Sequence, residues 1–289
     1  MSASTELERT PQRAARGPLV FLRGSGDLGS GVAVALARAG CRVVVIELPR
    51  PTALRLTVAF ASAVIDGSVV VGGVTGVHAG SVEEVAAAFE AGRVPVWTAG
   101  EAALRERFAP EALVDARLRG LSDPNLRTTD APAVIALGPG FEAGLHAHFV
   151  IETNRGPALG VVLERGQAAP HTGTPGDIDG ETARRILRSP AAGVLRRVRA
   201  IGDTVEAGEV VATVEGLPVR AQLAGLVRGL LSDGLSVPLH KKVGDVDPRA
   251  DRRLLSEPSD KAAAIGRGVL EALARAGLLP SPPPSTPLP

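Results

Sequence analysis

The stretch Val20-Phe21-Leu22-Arg23-Gly24-Ser25-Gly26-Asp27-Leu28-Gly29-Ser30-Gly31 sets a G-x-G-x-x-G loop between an apolar run and a helix-like segment. Each glycine has its own task in such a loop. Gly24 permits the tight strand-to-helix turn, Gly26 lets backbone amides approach a pyrophosphate, and Gly29 allows close packing of helix on strand. Ser25, Asp27 and Leu28 complete the expected nucleotide-binding segment, and the helix N-terminus holds the anion. The spacing predicts a helix over Gly31 to Ala39, ended by Gly40, and a second strand over Arg42 to Glu47. Glu47 falls about 20 positions beyond the loop, where a carboxylate at a strand tip binds ribose hydroxyls and repels a 2′-phosphate.

Prolines in Leu48-Pro49-Arg50-Pro51-Thr52-Ala53-Leu54-Arg55 end the second strand and place Arg50 and Arg55 beyond its tip, facing either an anion or solvent. Further strands are expected at Val69–Val71, Val74–Val77, Val94–Trp97 and Leu113–Leu118. Ser81 with Glu84 forms a capping box for a helix to about Ala91, closed by Gly92. This βαβ alternation predicts an α/β fold with a Rossmann-like parallel sheet over residues 17–188.

A second strand-to-glycine transition, Ala133-Val134-Ile135-Ala136-Leu137-Gly138-Pro139-Gly140, puts Gly138 and Gly140 at a strand end. They either line the far side of the nucleotide site or simply turn the chain. His146, His148, Glu152 and Asn154 share even parity, so on one strand they project from one face, with Arg155 beside them. His148, Glu152 and Arg155 are the candidate acid/base and anion-handling residues; structural hydrogen bonding is the competing reading. His146, His148 and His171 supply three imidazoles, but no fourth ligand is evident, and no metal is expected.

From Pro190 the texture changes to short strands and turns with an internal repeat. Gly193 matches Gly225, Gly202 matches Gly234, and Val205, Val211 and Val214 match Val237, Val243 and Val246. Residues 189–256 resemble a biotinyl/lipoyl-like barrel-sandwich hybrid. Carrier members of that fold bear a modified lysine at the junction of the halves, whereas Val214-Glu215-Gly216-Leu217-Pro218-Val219 has none, so a static docking or core module is expected. Ser259 caps a last helix, within 257–278, whose stripe Ala262, Ile265, Val269, Leu270 and Leu273 packs onto the body or makes a homo-oligomer or partner interface.

A length of 289 residues with 45% hydrophobic side chains suits two domains with real cores. A net charge of +1 and 2% aromatics give neither the basic footprint nor the stacking platforms of a nucleic-acid binder. Cys41 is the single cysteine, so no disulfide forms within the chain. Residues 1–16 lack the apolar core of a signal peptide and read as a disordered tail, as does the Pro-rich run 279–289. No apolar run is long enough to span a membrane, and a cytoplasmic protein is expected.

With these pieces in place, the chain resembles a family of cytoplasmic accessory proteins associated with selenium-dependent molybdenum hydroxylases. The resemblance is carried by Arg23-Gly24-Ser25-Gly26-Asp27-Leu28, Glu47-Leu48-Pro49-Arg50-Pro51-Thr52-Ala53, Leu137-Gly138-Pro139-Gly140-Phe141 and Val150-Ile151-Glu152-Thr153-Asn154-Arg155-Gly156. Thr172-Gly173-Thr174-Pro175-Gly176 and Gly229-Leu230-Leu231-Ser232-Asp233-Gly234-Leu235 extend it. His146, where the family pattern has an acidic residue, and His171, where it has Asn, depart from it. The resemblance implies maturation or cofactor insertion for a molybdenum hydroxylase client, with NAD or a molybdopterin dinucleotide as the bound nucleotide-type ligand. An NAD-dependent oxidoreductase using His148, and a non-catalytic scaffold docking the hydroxylase, are the alternatives.

Overall fold

The structure, a computed structural model, describes residues 17–118, 125–170 and 178–280. The tail 1–16, the loop from His171 to Asp177 and the run 281–289 lie outside the described residues.

The chain opens with Leu19–Arg23 (β1), Asp27–Arg38 (α1) and Arg42–Ile46 (β2). The first helix starts earlier than expected, because Gly26 takes the extended N-cap conformation and Asp27 supplies the acid favoured in a first turn. Then come Ala63–Asp66 (α2), Ser68–Val71 (β3), Val74–Ala79 (β4), Val82–Glu90 (α3) and Val94–Trp97 (β5). Ser81 caps α3, its hydroxyl accepting from Glu84 N, while the Glu84 carboxylate takes Gly80 N. Glu101–Arg107 (α4), Ala112–Asp115 (β6), Ala133–Leu137 (β7), Glu142–Ala143 (β8), Phe149–Ile151 (β9), Val162–Leu163 (β10) and Gly166–Gln167 (β11) follow.

One 9-stranded sheet organises these elements, in the order β10-β9-β7-β6-β1-β2-β5-β4-β3. The expected all-parallel sheet is corrected to a mixed one. The inner strands from β9 to β4 run parallel, but β10 pairs antiparallel with β9, and β3 with β4. At the β3 edge the reason is local: only Gly72-Gly73 separates the two strands, a hairpin length that cannot make a parallel crossover.

Alternation along β1 divides the core into two layers. Val20 and Leu22 join Val32 and Leu36 of α1, whereas Leu19 and Phe21 face the other way, toward Val85 of α3 and Leu104 of α4.

The remaining chain comprises Ile186–Arg188 (β12), Gly193–Arg197 (β13), Thr204–Val205 (β14), Val210–Val214 (β15), Leu217–Arg220 (β16), Gly225–Leu230 (β17), Ser236–Val237 (β18) and Lys242–Asp247 (β19). Asp260–Arg275 (α5) closes the described fold. The eight strands pair as two 4-stranded sheets, β12-β19-β17-β14 and β16-β15-β13-β18. The sequence repeat is visible here, since β13 pairs β18 and β17 pairs β14, with Val205, Val211, Val214, Val237, Val243 and Val246 all buried.

The expectation of a biotinyl/lipoyl-like barrel-sandwich hybrid is nonetheless corrected. The unit is an annex of the α/β body rather than a module of that kind: β12, which precedes the repeat, forms an outer strand of one sheet, and Leu230 N donates to Leu54 O at 2.8 Å. A Cβ on Gly229 would press on the Leu54 carbonyl at 3.2 Å.

Helix α5 returns to the first lobe. Ser259 caps it, its Oγ accepting from Ala262 N at 3.1 Å, and Ala262, Ile265, Val269 and Leu273 are buried against the layer that holds α1. The two helices touch through small residues. A Cβ on Gly31 would stand 2.6 Å from Ala262 Cβ, and one on Gly266 would stand 2.9 Å from Ala35 Cβ. Gly266→Val is therefore expected to overpack this contact and destabilise the protein by about 1–3 kcal/mol, read as a lowered midpoint in denaturant without a change in slope.

Candidate functional site

The glycine loop stands at the carboxyl end of β1, where a parallel sheet opens its ligand crevice. Gly24 takes φ +86°, a conformation that a side chain makes costly, and its N–H donates to Ile46 O at 2.8 Å. A Cβ on Gly29 would run into the Gly24 carbonyl, which explains that glycine by packing. Gly26 differs from both. Its φ is −66° and a Cβ there would meet nothing within 4 Å. Neither its backbone conformation nor packing among the described residues requires a glycine at this position, which lines the space the loop borders.

That space is a cavity of about 1290 Å³ between the α/β lobe and the C-terminal β unit. Its size exceeds the roughly 300–1,000 Å³ of common small-molecule clefts. One wall is formed by Gly24 to Gly29, Glu47 and the segment Thr52 to Arg55; the other carries Arg228, Lys242, Arg249 and Arg253.

Charge is balanced on the loop wall. Arg23 Nε donates to Glu101 Oε2 at 2.6 Å, Arg55 Nη1 to Asp27 Oδ1 at 2.7 Å, and Arg117 Nη2 to Asp115 Oδ2 at 2.6 Å. Glu47 braces the loop directly: Oε2 accepts from Ser25 N at 2.9 Å and Ser25 Oγ at 2.8 Å, while Oε1 accepts from Leu48 N at 2.8 Å. A carboxylate has about four acceptor sites, so Oε1 retains room for one more donor.

On the opposite wall cations predominate. Arg185 Nη1 donates to Asp245 Oδ2 at 3.0 Å, and Arg249 grips Asp247 with Nε at 2.9 Å and Nη2 at 2.7 Å. Burial would raise the Asp247 pKa, but these bonds from Arg249 hold it below its ordinary value. Burial pulls Lys242 and Lys261 below the usual lysine range, and Arg155 adds to the effect on Lys261.

The second group of sequence-predicted residues is dispersed. The Nδ1 of His148 accepts from Val134 N at 3.0 Å, and that of His146 from Glu142 N at 3.0 Å, so each imidazole braces backbone. Glu152, 6% exposed, accepts from Thr153 N and Asn154 N on Oε1 and from Ala169 N on Oε2, at 2.6, 2.7 and 2.8 Å. Only β9, Phe149–Ile151, separates the histidines from Glu152, so the even-parity face expected over 146–154 is not one continuous strand face. Gly138 packs behind the crevice on Thr153 and Leu118. Among the residues His148, Glu152, Arg155, Gly138 and Gly140, the cavity is lined by Arg155. Arg155 makes two bonds to Asp260, at 2.7 and 3.0 Å.

His171 lies outside the described residues; among those described, no group of three or more His, Cys, Asp or Glu side chains is placed to hold a metal ion. The cations of the far wall were missed by sequence reasoning. Their signal was Arg228 within Leu226-Val227-Arg228-Gly229-Leu230, a charge in an otherwise apolar strand.

No family model matches the chain. The chain is similar to the "Uncharacterized protein YqeB" of Escherichia coli K12, with 46% identity over 267 residues, 92% of this chain and 49% of that protein. It thus spans about half the length of the curated relative it matches. Among solved structures it is similar to an aspartoacylase family protein from Mesorhizobium loti, 13% identical with a TM-score of 0.25, covering 81% of this chain and 86% of that one. It is also similar to a succinylglutamate desuccinylase/aspartoacylase from Rhodobacter sphaeroides, 16% identical with a TM-score of 0.26, covering 80% and 85%. Both are described as of the aspartoacylase or succinylglutamate desuccinylase kind.

Two outcomes follow from the geometry. Glu152→Ala strands three backbone N–H groups and is expected to cost about 2–4 kcal/mol in chemical denaturation; an unchanged midpoint would contradict the bracing role. The bonds from Arg155 push the Asp260 carboxyl down to about 2. Its contribution is therefore complete above the ordinary Asp value of about 3.9 and fades as pH falls toward 2. In Arg155→Gln, carboxyl-carbon NMR should find the Asp260 titration moved up toward the ordinary Asp range.

Proposed function

We propose that the protein is a cytoplasmic accessory protein of a selenium-dependent molybdenum hydroxylase system that grips a dinucleotide-type ligand, NAD or a molybdopterin dinucleotide, in the cleft. The single observation that carries the reading is Gly26, a glycine bordering the cavity that the fold itself does not require. Close approach of a phosphate to the loop supplies the missing reason.

Two further features support it. The residues that carry the family resemblance around the loop, Arg23 to Leu28 together with Glu47, Leu48, Thr52 and Ala53, line the cavity. The cavity also has the volume for a ligand of two nucleotide halves. In this reading the amides from Gly24 to Gly29 receive phosphate oxygens, the free lone pair of Glu47 Oε1 accepts a ribose hydroxyl, and the client hydroxylase receives the product of the encounter. His148 and Glu152 hold backbone, so ligand handling falls to the loop and the cationic wall, and the oxidoreductase alternative loses its acid/base residue. No helix of the described residues is long and apolar enough to cross a membrane, which agrees with a cytoplasmic site of action.

The test is ligand-induced stabilisation of wild type and Gly26→Val. Free space around Gly26 predicts that the variant folds with nearly the wild-type melting temperature. At about a hundred times Kd, a ligand adds roughly 2.7 kcal/mol of stability. NAD or molybdopterin dinucleotide should give such a shift in wild type and none in Gly26→Val. Equal shifts in both proteins would sink the loop assignment, and an intact, active hydroxylase in cells lacking the protein would sink the maturation role.

A further inference from the structure

Arg228 occupies β17 with its side chain 13% exposed, and its Nη1 comes no nearer than 3.5 Å to Asp247, whose carboxylate Arg249 already grips. The Nε–H of Arg228 is buried with no acceptor among the described residues. From the other wall, Arg55, 8% exposed, directs Nη1 to Asp27 and Nη2 to Leu254 O, and its Nε–H is equally unfilled. Both guanidiniums line the cavity.

These cations also act on one another. Burial first, and then the charge of Arg55, pulls the Arg228 guanidinium below its ordinary range. Lys242 is disfavoured as a cation by burial and by Arg185 and Arg228, against the attraction of Asp245. Mutually repelling cations withdrawn from water are costly to a fold, and an oxyanion held in the cavity between them would offset that cost.

We propose that Arg55 and Arg228, with Lys242, form a second anion subsite between the two walls, which takes a tetrahedral oxyanion such as a phosphate group of the bound ligand. Arg228, which comes no nearer than 3.5 Å to a carboxylate, has guanidinium donors to offer such an oxygen, and Arg55 and Lys242, which line the same cavity, supply further positive charge. This deepens the nucleotide-type reading and rests on it for the identity of the whole ligand, whereas the subsite itself requires only the cations named.

Inorganic phosphate is the probe, titrated calorimetrically into the full chain at low ionic strength. Wild type should give a saturable isotherm. Arg228→Gln and Lys242→Gln should each weaken binding at least tenfold, while Arg196→Gln, outside the cleft with its side chain 65% exposed, should change it less than twofold. Without phosphate, Arg228→Gln is expected to melt no lower than wild type, since it removes a buried, repelled charge; with phosphate, wild type should gain stability and Arg228→Gln should not. Should Arg228→Gln fail to fold, Lys242→Gln carries the comparison. Gly26→Val separates the two readings: it should keep the phosphate site that Arg228→Gln and Lys242→Gln weaken, even if anion and nucleotide binding at the glycine loop are lost. No saturable heat in wild type, phosphate affinity unchanged in Arg228→Gln and Lys242→Gln, or an equal loss in Arg196→Gln would overturn the subsite.

Discussion

A guanidinium withdrawn from water needs acceptors, and Arg55 finds them in different parts of the chain. Its Nη1 meets Asp27 in the first turn of α1, and its Nη2 meets the carbonyl of Leu254. The second oxygen of Asp27 accepts from Ser259, the residue that caps α5. One position earlier, the Leu54 carbonyl accepts from Leu230 of β17. Two adjacent residues beyond β2 thus bind the glycine loop, the last helix and the C-terminal sheets to one another, and the cavity lies where they meet. Asp27 is drawn by the same bonds toward Arg55 and Ser259.

The walls of the cavity differ in electrical character because they are built differently. On the loop side every arginine described here has a carboxylate within bonding distance, placed by strand ends and the first turns of helices. On the far side, long cations project from β17 and β19, where acids are already committed to Arg185 and Arg249. Low dielectric magnifies such an imbalance. A ligand with both sugar hydroxyls and anionic groups would meet complementary chemistry on the two sides.

Much of the first lobe was legible in the sequence because its signals are local. The loop glycines, the apolar runs of β1 and β2 and the Ser81 cap each act within a few residues of themselves. The antiparallel edge at β3 was just as local, written in Gly72-Gly73, but the parallel-sheet expectation passed over it. What the one-dimensional pattern missed depends on long-range placement. The parity of His146, His148 and Glu152 suggested a shared face, but β9 is too short to carry them all, and each side chain turned to nearby backbone. Arg228 is far in sequence from Arg55, and nothing near either residue announces the other. The valine and glycine repeat marked one β unit used twice, yet the sheets its strands form are fused to Leu54 and β12.

The embrace of α1 by α5 has a consequence for how the chain acquires its shape as it is made. The layer holding Val32 and Leu36 is covered by Ile265 and Val269, residues synthesised long after the strands they shield. Until α5 emerges from the ribosome, the part of that layer it covers is shielded by α1, Phe60 and Ala63 alone, and contacts of such sequence separation form slowly. The growing chain therefore passes through a stage at which a nearly finished sheet has one layer incompletely covered, a stage at which aggregation is favoured.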